Sequence, residues 1–248
     1  MVRLPVSGRA IDLRPPTGAD EVALLDAPGD TAAALELARR LSPDADGAAW
    51  TPTDLDAFVL HARRAVLGDA VRTDTACPAA GCGARIDIGF GVAAYLASRV
   101  PEPAAEAVPD EEEPGWLRFP RGRVRFRLVS VADQLAVEGL PDAAAELARR
   151  CVRGDPTAAD LNRVREELER LAPEMSGTLT GVCPECGAAV EAFFDPRAYC
   201  VAELRALARF VFDDVDAIAR RYHWAERDIL ALPSVRRAAY ARLAAGER

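Results

Sequence analysis

Six cysteines carry most of the chemical potential of this chain, and four of them fall in two matched turns. Cys183-Pro184-Glu185-Cys186-Gly187 sets two thiols around two intervening residues, with proline after the first and glycine after the second. Two thiolates from one tight turn point the same way, and the glycine allows the bend that aims backbone N–H groups at sulfur, as in a zinc knuckle. Cys77-Pro78-Ala79-Ala80-Gly81-Cys82-Gly83 repeats the proline and the glycine around a turn two residues longer. One knuckle offers two ligands and a closed structural site needs four. Cys77, Cys82, Cys183 and Cys186 together therefore predict one structural Zn2+ with no open coordination position. The alternative is two metal-free pairs, buried or disulfide-linked, and a reducing compartment disfavours the disulfide. Cys151, near Leu147 and Val152, and Cys200, near Val201 and Leu204, read as core residues on apolar helical faces.

To share one ion, the two turns must sit on hairpins packed side by side. Ala84–Phe90 alternates, with Ile86, Ile88 and Phe90 on one face, and Gly177–Val182 and Ala188–Phe194 flank the second turn. A third hairpin is expected from Leu117–Phe119 and Val124–Leu128 around Pro120-Arg121-Gly122. Helices are expected at Glu21–Ala27, Thr31–Leu41, Asp142–Val152 and Ala158–Leu171. A better-marked one starts with Thr53 and Asp56 as a capping box, carries Leu55, Phe58, Val59, Ala62 and Val66 at helical spacing, and ends at Gly68. Ser130 with Asp133 caps another. Residues 101–115 hold Glu102, Glu106 and Asp110–Glu113 without a local cation and read as a solvated loop. The expected architecture is α+β and helix-rich: an N-terminal helical segment (1–70), a strand-rich zinc-ribbon-like core (71–200) with inserted helices (129–172), and a C-terminal helical region (201–248), integrated as one domain.

Composition narrows the function classes. The chain has 248 residues, is 50% apolar and carries a net charge of −8, which supports a sizeable core and argues against a broadly basic nucleic-acid or membrane surface. All 31 cations are arginine, a pattern that codon bias explains without a functional cause. No run approaches the roughly 18–20 apolar residues of a membrane span, and the N-terminal Met-Val-Arg-Leu-Pro-Val-Ser-Gly lacks a signal-peptide apolar region, so a cytoplasmic protein is expected. Catalytic apparatus is not visible. Gly89-Phe-Gly91-Val-Ala-Ala94 fits G-x-G-x-x-A but reads as a hairpin exit. There is no P-loop, H-E-x-x-H or G-x-S-x-G. The two histidines, His61 on a solvated helix face and His223, build no site. Asp213, Asp214 and Asp216 lie within helical reach of Arg209 and Arg220 as an ion-paired surface. The expectation is a non-enzyme without a small-molecule substrate.

Leu204, Ala208, Val211, Val215, Ile218 and Tyr222 follow heptad spacing, and a short helix Glu226–Leu232, a break at Pro233 and a last helix capped by Ser234 come after. Residues 217–248 carry seven arginines against three acids, locally +4 in a chain that is −12 elsewhere. Tyr222, Trp224, Arg236, Arg237 and Tyr240 have the composition of a protein–protein hot spot. A basic helix–turn–helix outline beside a zinc knuckle leaves a nucleic-acid-binding zinc-ribbon protein as the alternative, against which the overall charge argues.

The order of these features resembles the baseplate assembly proteins of contractile injection systems and contractile phage tails, and is similar to the T-even-type baseplate hub assembly chaperones. The resemblance runs from Leu13-Arg14-Pro15-Pro16-Thr17-Gly18-Ala19-Asp20-Glu21 through Val66-Leu67-Gly68-Asp69, the first knuckle and Val124-Arg-Phe-Arg-Leu128 with Asp133. It is most specific at Cys183-Pro-Glu-Cys-Gly187, Phe193-Phe-Asp195, Ala219-Arg-Arg-Tyr-His-Trp224, Asp228-Ile-Leu-Ala-Leu232 and Arg236-Arg237 before Tyr240. The first knuckle is longer than the family's C-P-x-C-G, and His223 stands where the family has glycine. The resemblance implies a factor that helps a contractile-tail baseplate or hub assemble through baseplate, hub or spike proteins, either transiently or as a minor component of the particle.

Overall fold

The computed structural model describes residues 1–246. Two short strands, β1 (Val2–Arg3) and β2 (Ala10–Ile11), pair as an antiparallel ribbon and lead into α1 (Gly18–Asp26), α2 (Gly29–Leu41) and α3 (Pro52–Leu67). From Thr53 to Leu60 nearly every residue of α3 is buried, as expected of a helix apolar around most of its circumference. Pro52 takes the first helical position, where its missing N–H costs nothing, so the cap falls on Thr51, whose hydroxyl accepts the Asp54 N–H at 3.1 Å. Thr53, expected as the cap, instead donates to the Pro173 carbonyl at 3.0 Å. Gly68 closes the helix at φ +83. His61 is half buried rather than solvated, and burial, followed by Arg64, lowers its pKa.

The chain then forms β3 (Ala70–Ala76), β4 (Arg85–Gly91) and α4 (Val92–Ala97), so the G-x-G-x-x-A stretch is the exit of an antiparallel hairpin. Next come β5 (Val108–Pro109), β6 (Leu117–Arg118), β7 (Arg125–Phe126), α5 (Val131–Val137), α6 (Ala143–Cys151), β8 (Val152–Arg153) and α7 (Ala158–Leu171). The four strands make one antiparallel sheet in sequence order, packed on α7 around Phe119, Val124, Phe126 and Val164. The acidic loop is not simply solvated. Arginines distant in sequence pair with it: Arg170 with Glu102, Arg163 with Glu106, Arg125 with Asp110 and Glu112, and Arg153 with Glu113. The Glu167 carboxylate also accepts the N–H groups of Ala105 and Glu106 at 3.1 and 2.6 Å, tying the loop to α7.

The Ser130–Asp133 capping box forms as expected. Its buried carboxylate also accepts two bonds from Arg127, at 2.6 and 2.9 Å, and one from Arg150 at 3.2 Å. These contacts, the Arg127 guanidinium foremost, hold Asp133 well below the usual carboxylate range despite burial. A depressed folded-state pKa stabilises above the unfolded value near 4 and stops doing so as pH falls through the folded one. Asp133→Asn is therefore expected to cost about 2 kcal/mol in urea unfolding at pH 7, with the difference from wild type shrinking steadily as pH falls below about 4. An undiminished difference at low pH would contradict the assignment.

The remaining elements are β9 (Gly177–Val182), β10 (Ala189–Phe194), α8 (Pro196–Ala208), α9 (Val211–Tyr222), α10 (Glu226–Leu230) and α11 (Ser234–Ala244). The sequence boundary at residue 200 falls inside α8, which packs on α1, α2 and α3 in the main core. The heptad seam is broken where the chain turns at Arg209-Phe210. Leu204 and Ala208 enter the main core, whereas Val215, Ile218 and Tyr222 join Ile229 and Ala241 in a separate cluster. Ser234 begins the last helix but does not cap it; its hydroxyl donates to the Pro16 carbonyl at 3.1 Å. Among the described residues no helix is long and apolar enough to cross a membrane. Cys151 and Cys200 are buried, as expected of core residues.

Candidate metal centre

Each knuckle is the tip of a two-stranded hairpin. β3 pairs with β4 from Ala70↔Gly91 to Ala76↔Arg85, and β9 with β10 from Gly177↔Phe194 to Val182↔Ala189. The tips close in the same way: the Cys77 N–H donates to the Ala84 carbonyl and the Cys183 N–H to the Ala188 carbonyl, both at 2.8 Å. Gly83 and Gly187 follow the second cysteines at φ +59 and +73, a region that strains any residue with a Cβ. The longer first turn absorbs its extra residues locally, and the Cys82 N–H donates back to the Ala79 carbonyl at 3.1 Å.

The four sulfurs of Cys77, Cys82, Cys183 and Cys186 lie within 4.8 Å of one another, the only such metal-competent group among the described residues. The two close sulfur–sulfur contacts run between hairpins, Cys77 to Cys186 at 3.6 Å and Cys82 to Cys183 at 3.9 Å. In each, the first sulfur of one turn meets the second of the other, which is how a local two-fold axis pairs equivalent groups. Cys77 and Cys183 are buried over Ile86 and Val190, while Cys186 is exposed.

Backbone dipoles prepare the cluster for a cation. The N–H groups of Cys186 and then Glu185 face the Cys183 sulfur and bring its thiol down to about 7, against the effect of burial. The Ala79 N–H acts on Cys77 in the same sense, but burial and the neighbouring sulfurs outweigh it and push that thiol up to about 12. A bound metal ion would replace the shared protons, so loading releases protons and acidification expels the ion. Four thiolates around one ion leave no position for substrate.

The two-fold relation extends below the metal site, and the sequence carries its signature. Cys82-Gly83-Ala84, Phe90, Ala94 and Tyr95 recur 104 residues later as Cys186-Gly187-Ala188, Phe194, Ala198 and Tyr199. Phe90 packs on Tyr95 with ring centroids 5.3 Å apart, Phe194 on Tyr199 at 5.4 Å, and the two phenylalanines meet edge-on at 5.0 Å. Each tyrosine then reaches across to the other unit: Tyr95 donates to the Met175 carbonyl just before β9, and Tyr199 to the Arg72 carbonyl of β3 at 2.7 Å. The hairpins are thus held together at the base by four aromatic rings and at the tips by four sulfurs.

In the C-terminal helices, Tyr222, Trp224 and Tyr240 stack as one cluster with centroid separations of 5.1 to 6.1 Å. Trp224 is 39% exposed, and Arg236, one turn before Tyr240 on α11, faces solvent. Arg237, expected on the same surface, is buried. It shares the inward face of Ala241 one turn on, and its guanidinium meets Glu21 at 2.6 Å and Asp214 at 2.9 Å. Asp214 is accordingly drawn inward from the expected surface cluster, while Asp216 pairs with Arg220 at 2.8 Å as anticipated.

Comparison of the chain with protein-family models, curated proteins and solved structures finds no match in any of the three. The structure itself defines the class: an α+β protein in which two hairpins bring four cysteines into one cluster able to hold a single metal ion.

Proposed function

We propose that this chain is a non-enzymatic assembly factor, or a minor structural component, of the baseplate or hub of a contractile injection system or phage-tail-like particle, with one structural zinc stapling its ribbon-like hairpins. The observation that carries the structural assignment is the all-sulfur cluster. A tetrahedron of thiolates at about 2.3 Å from zinc has an edge of about 3.8 Å, and the two close sulfur contacts of 3.6 and 3.9 Å bracket it. Soft thiolate donors also favour zinc over hard cations. The assignment to contractile tails rests on the sequence resemblance, above all the second knuckle and the Tyr222–Trp224 segment.

The partner surface is the aromatic cluster Tyr222, Trp224 and Tyr240 with Arg236 beside it, and baseplate, hub or spike proteins are the partners. Trp224→Ala is expected to weaken partner capture at least tenfold while leaving the melting temperature nearly unchanged, because the ring is partly exposed before binding. The deciding experiment is affinity capture of the tagged chain from its native host with mass spectrometry, beside purified sheath particles. Recovery of hub, spike or wedge proteins, lost in the Trp224→Ala variant, supports the proposal. Recovery dominated by nucleic acid, with steep salt dependence, overturns it in favour of a nucleic-acid-binding zinc module.

A further inference from the structure

An open cleft lies where the main helical core meets the inserted sheet-and-helix segment. The cleft encloses about 630 Å³, within the range of sites that hold ligands or peptide side chains. The N-terminal ends of α2, α3 and α8 form one wall; α5, α7 and the stretch Leu128-Val129 form the other. Its charge is one-sided. Asp30, Asp56, Glu138, Glu169, Glu174 and Asp195 line it, against only Arg165 and Arg197. Asp30 and Asp56 are neutralised by Arg205 and Arg197, at 3.0 and 2.7 Å. Glu138, Glu169, Glu174 and Asp195 enter no ion pair among the described residues, whereas most acids of the 101–115 loop each have an arginine. Leu128, Leu135, Leu147 and Leu168 supply apolar wall, and Leu135 is 38% exposed.

We infer that this cleft docks a basic, aliphatic segment of a partner protein, seating one or two Arg or Lys side chains among Glu138, Glu169, Glu174 and Asp195 with their neighbours against the leucines. Complementarity of charge selects this occupant. Four carboxylates without an ionic partner stand beside the leucines, of which Asp195 caps α8 and Glu174 accepts the Ser176 hydroxyl. They repel acidic ligands and nucleic acid, and a guanidinium satisfies carboxylate oxygens while its stem covers aliphatic surface. The state of Asp56 agrees. Burial is the main cause that raises its pKa to about 6 against the pull of Arg197, and Asp195 and Glu174 add in the same direction. The inference does not depend on which assembly the protein serves.

The test uses the full-length, metal-loaded chain and a fluorescent amphipathic peptide of alternating arginine and leucine turns, followed by anisotropy at low and physiological salt. A peptide with glutamate in place of each arginine is the control. The expected result is saturable binding of the arginine peptide, at least tenfold tighter than the control. Binding should fall at least tenfold in the Glu138→Gln/Glu169→Gln/Glu174→Gln variant and in Leu135→Arg, and stay unchanged in Trp224→Ala. The substituted side chains pair with no arginine, so thermal melts of the variants should match wild type and show that the loss is local. Equal binding of both peptides, or full affinity in the glutamine variant, overturns the inference. So does a wild-type dimer in sedimentation that Leu135→Arg dissociates, since the occupant would then be a second copy of the chain.

Discussion

Cys183→Ser and Cys186→Ser should each lower the melting temperature of the metal-loaded protein by roughly 10–20 °C, equivalent to about 5 kcal/mol for a chain of this size. The size of the effect follows from how little else holds the hairpin tips. An isolated two-stranded hairpin is marginal in water, and the apolar pad under the sulfurs consists of Ile86, Val190 and the cysteines themselves, with a few alanines at its rim. The loss should be graded along the hairpins. Amide exchange should accelerate in residues 77–86 and 183–190, while protection persists in α3 and at the Phe90–Phe194 contact, which has its own aromatic support. The two-fold relation adds a sharper requirement: Cys82→Ser should match Cys186→Ser closely, because those sulfurs occupy equivalent places in the two knuckles. A chelator titration should release one equivalent of zinc and reproduce the Cys→Ser melting temperature, and chelation should do nothing further to the Cys183→Ser protein. Unchanged melting in both Cys183→Ser and Cys186→Ser would remove the metal from the account of this fold.

Most of the site was legible because its chemistry is local. The spacing Cys-Pro-x-Cys-Gly of the second knuckle encodes a turn, and the alternation in Ala84–Phe90 encodes a strand that carries the first. The Ser130–Asp133 capping box marked the start of α5 and the helical spacing from Leu55 to Val66 marked α3, and those signals lie within a few residues of one another. What was missed involves partners distant in sequence or signals too short to have a period. The hairpin of β6 and β7 was expected and forms, but β5 and β8, which extend it into a sheet, are two residues each, and two residues cannot display alternation. The arginines that pair with the 101–115 loop stand as far as 68 residues away, so the loop looked unpaired. The spacing from Leu204 to Tyr222 fits one long seam, and nothing local at Arg209-Phe210 marks the turn that sends its halves to different cores. The recurrence of Cys-Gly-Ala, Phe and Ala-Tyr 104 residues apart was present in the sequence. The unequal lengths of the two turns conceal it when the knuckles are aligned from their first cysteines.

Arg237→Met should be the most damaging substitution in the C-terminal helices, costing about 3–5 kcal/mol, the usual penalty for removing one partner of a buried ion pair. Arg237 was expected to touch a partner protein; instead its side chain is 5% exposed, between Glu21 of α1 and Asp214 of α9. One guanidinium nitrogen, Nη1, has no hydrogen-bond partner and lies where only a glycine at position 18 leaves room, since a Cβ there would approach it to 2.8 Å. Methionine fills much of the volume but leaves the largely buried carboxylates of Glu21 and Asp214 without their cation. The penalty should therefore depend on pH in a defined sense. Burial already raises the Glu21 pKa, and removing the cation raises it further, so the variant should regain stability as pH falls from 7 toward 5 and Glu21 takes up a proton. Arg237→Lys should recover only part of the loss, because a single ammonium cannot serve two carboxylates in the geometry of a guanidinium fork. Adding Glu21→Gln and Asp214→Asn to Arg237→Met should restore most of it, whereas three independent losses would add. The consequence for function is indirect. The backbone ties that remain across this junction are few: the Ser234 N–H donates to the Pro16 carbonyl at 2.9 Å, the Gly18 N–H to the Leu232 carbonyl at 3.4 Å, and Thr17 bridges Pro233. With Arg237 gone, α9 to α11 should exchange amide hydrogens faster as a unit, and the Tyr222, Trp224 and Tyr240 face would lose its fixed orientation on the body. Arg237→Met and Trp224→Ala should then both weaken partner capture while only the first lowers the melting temperature; a melting temperature within 2 °C of wild type for Arg237→Met would refute the clamp.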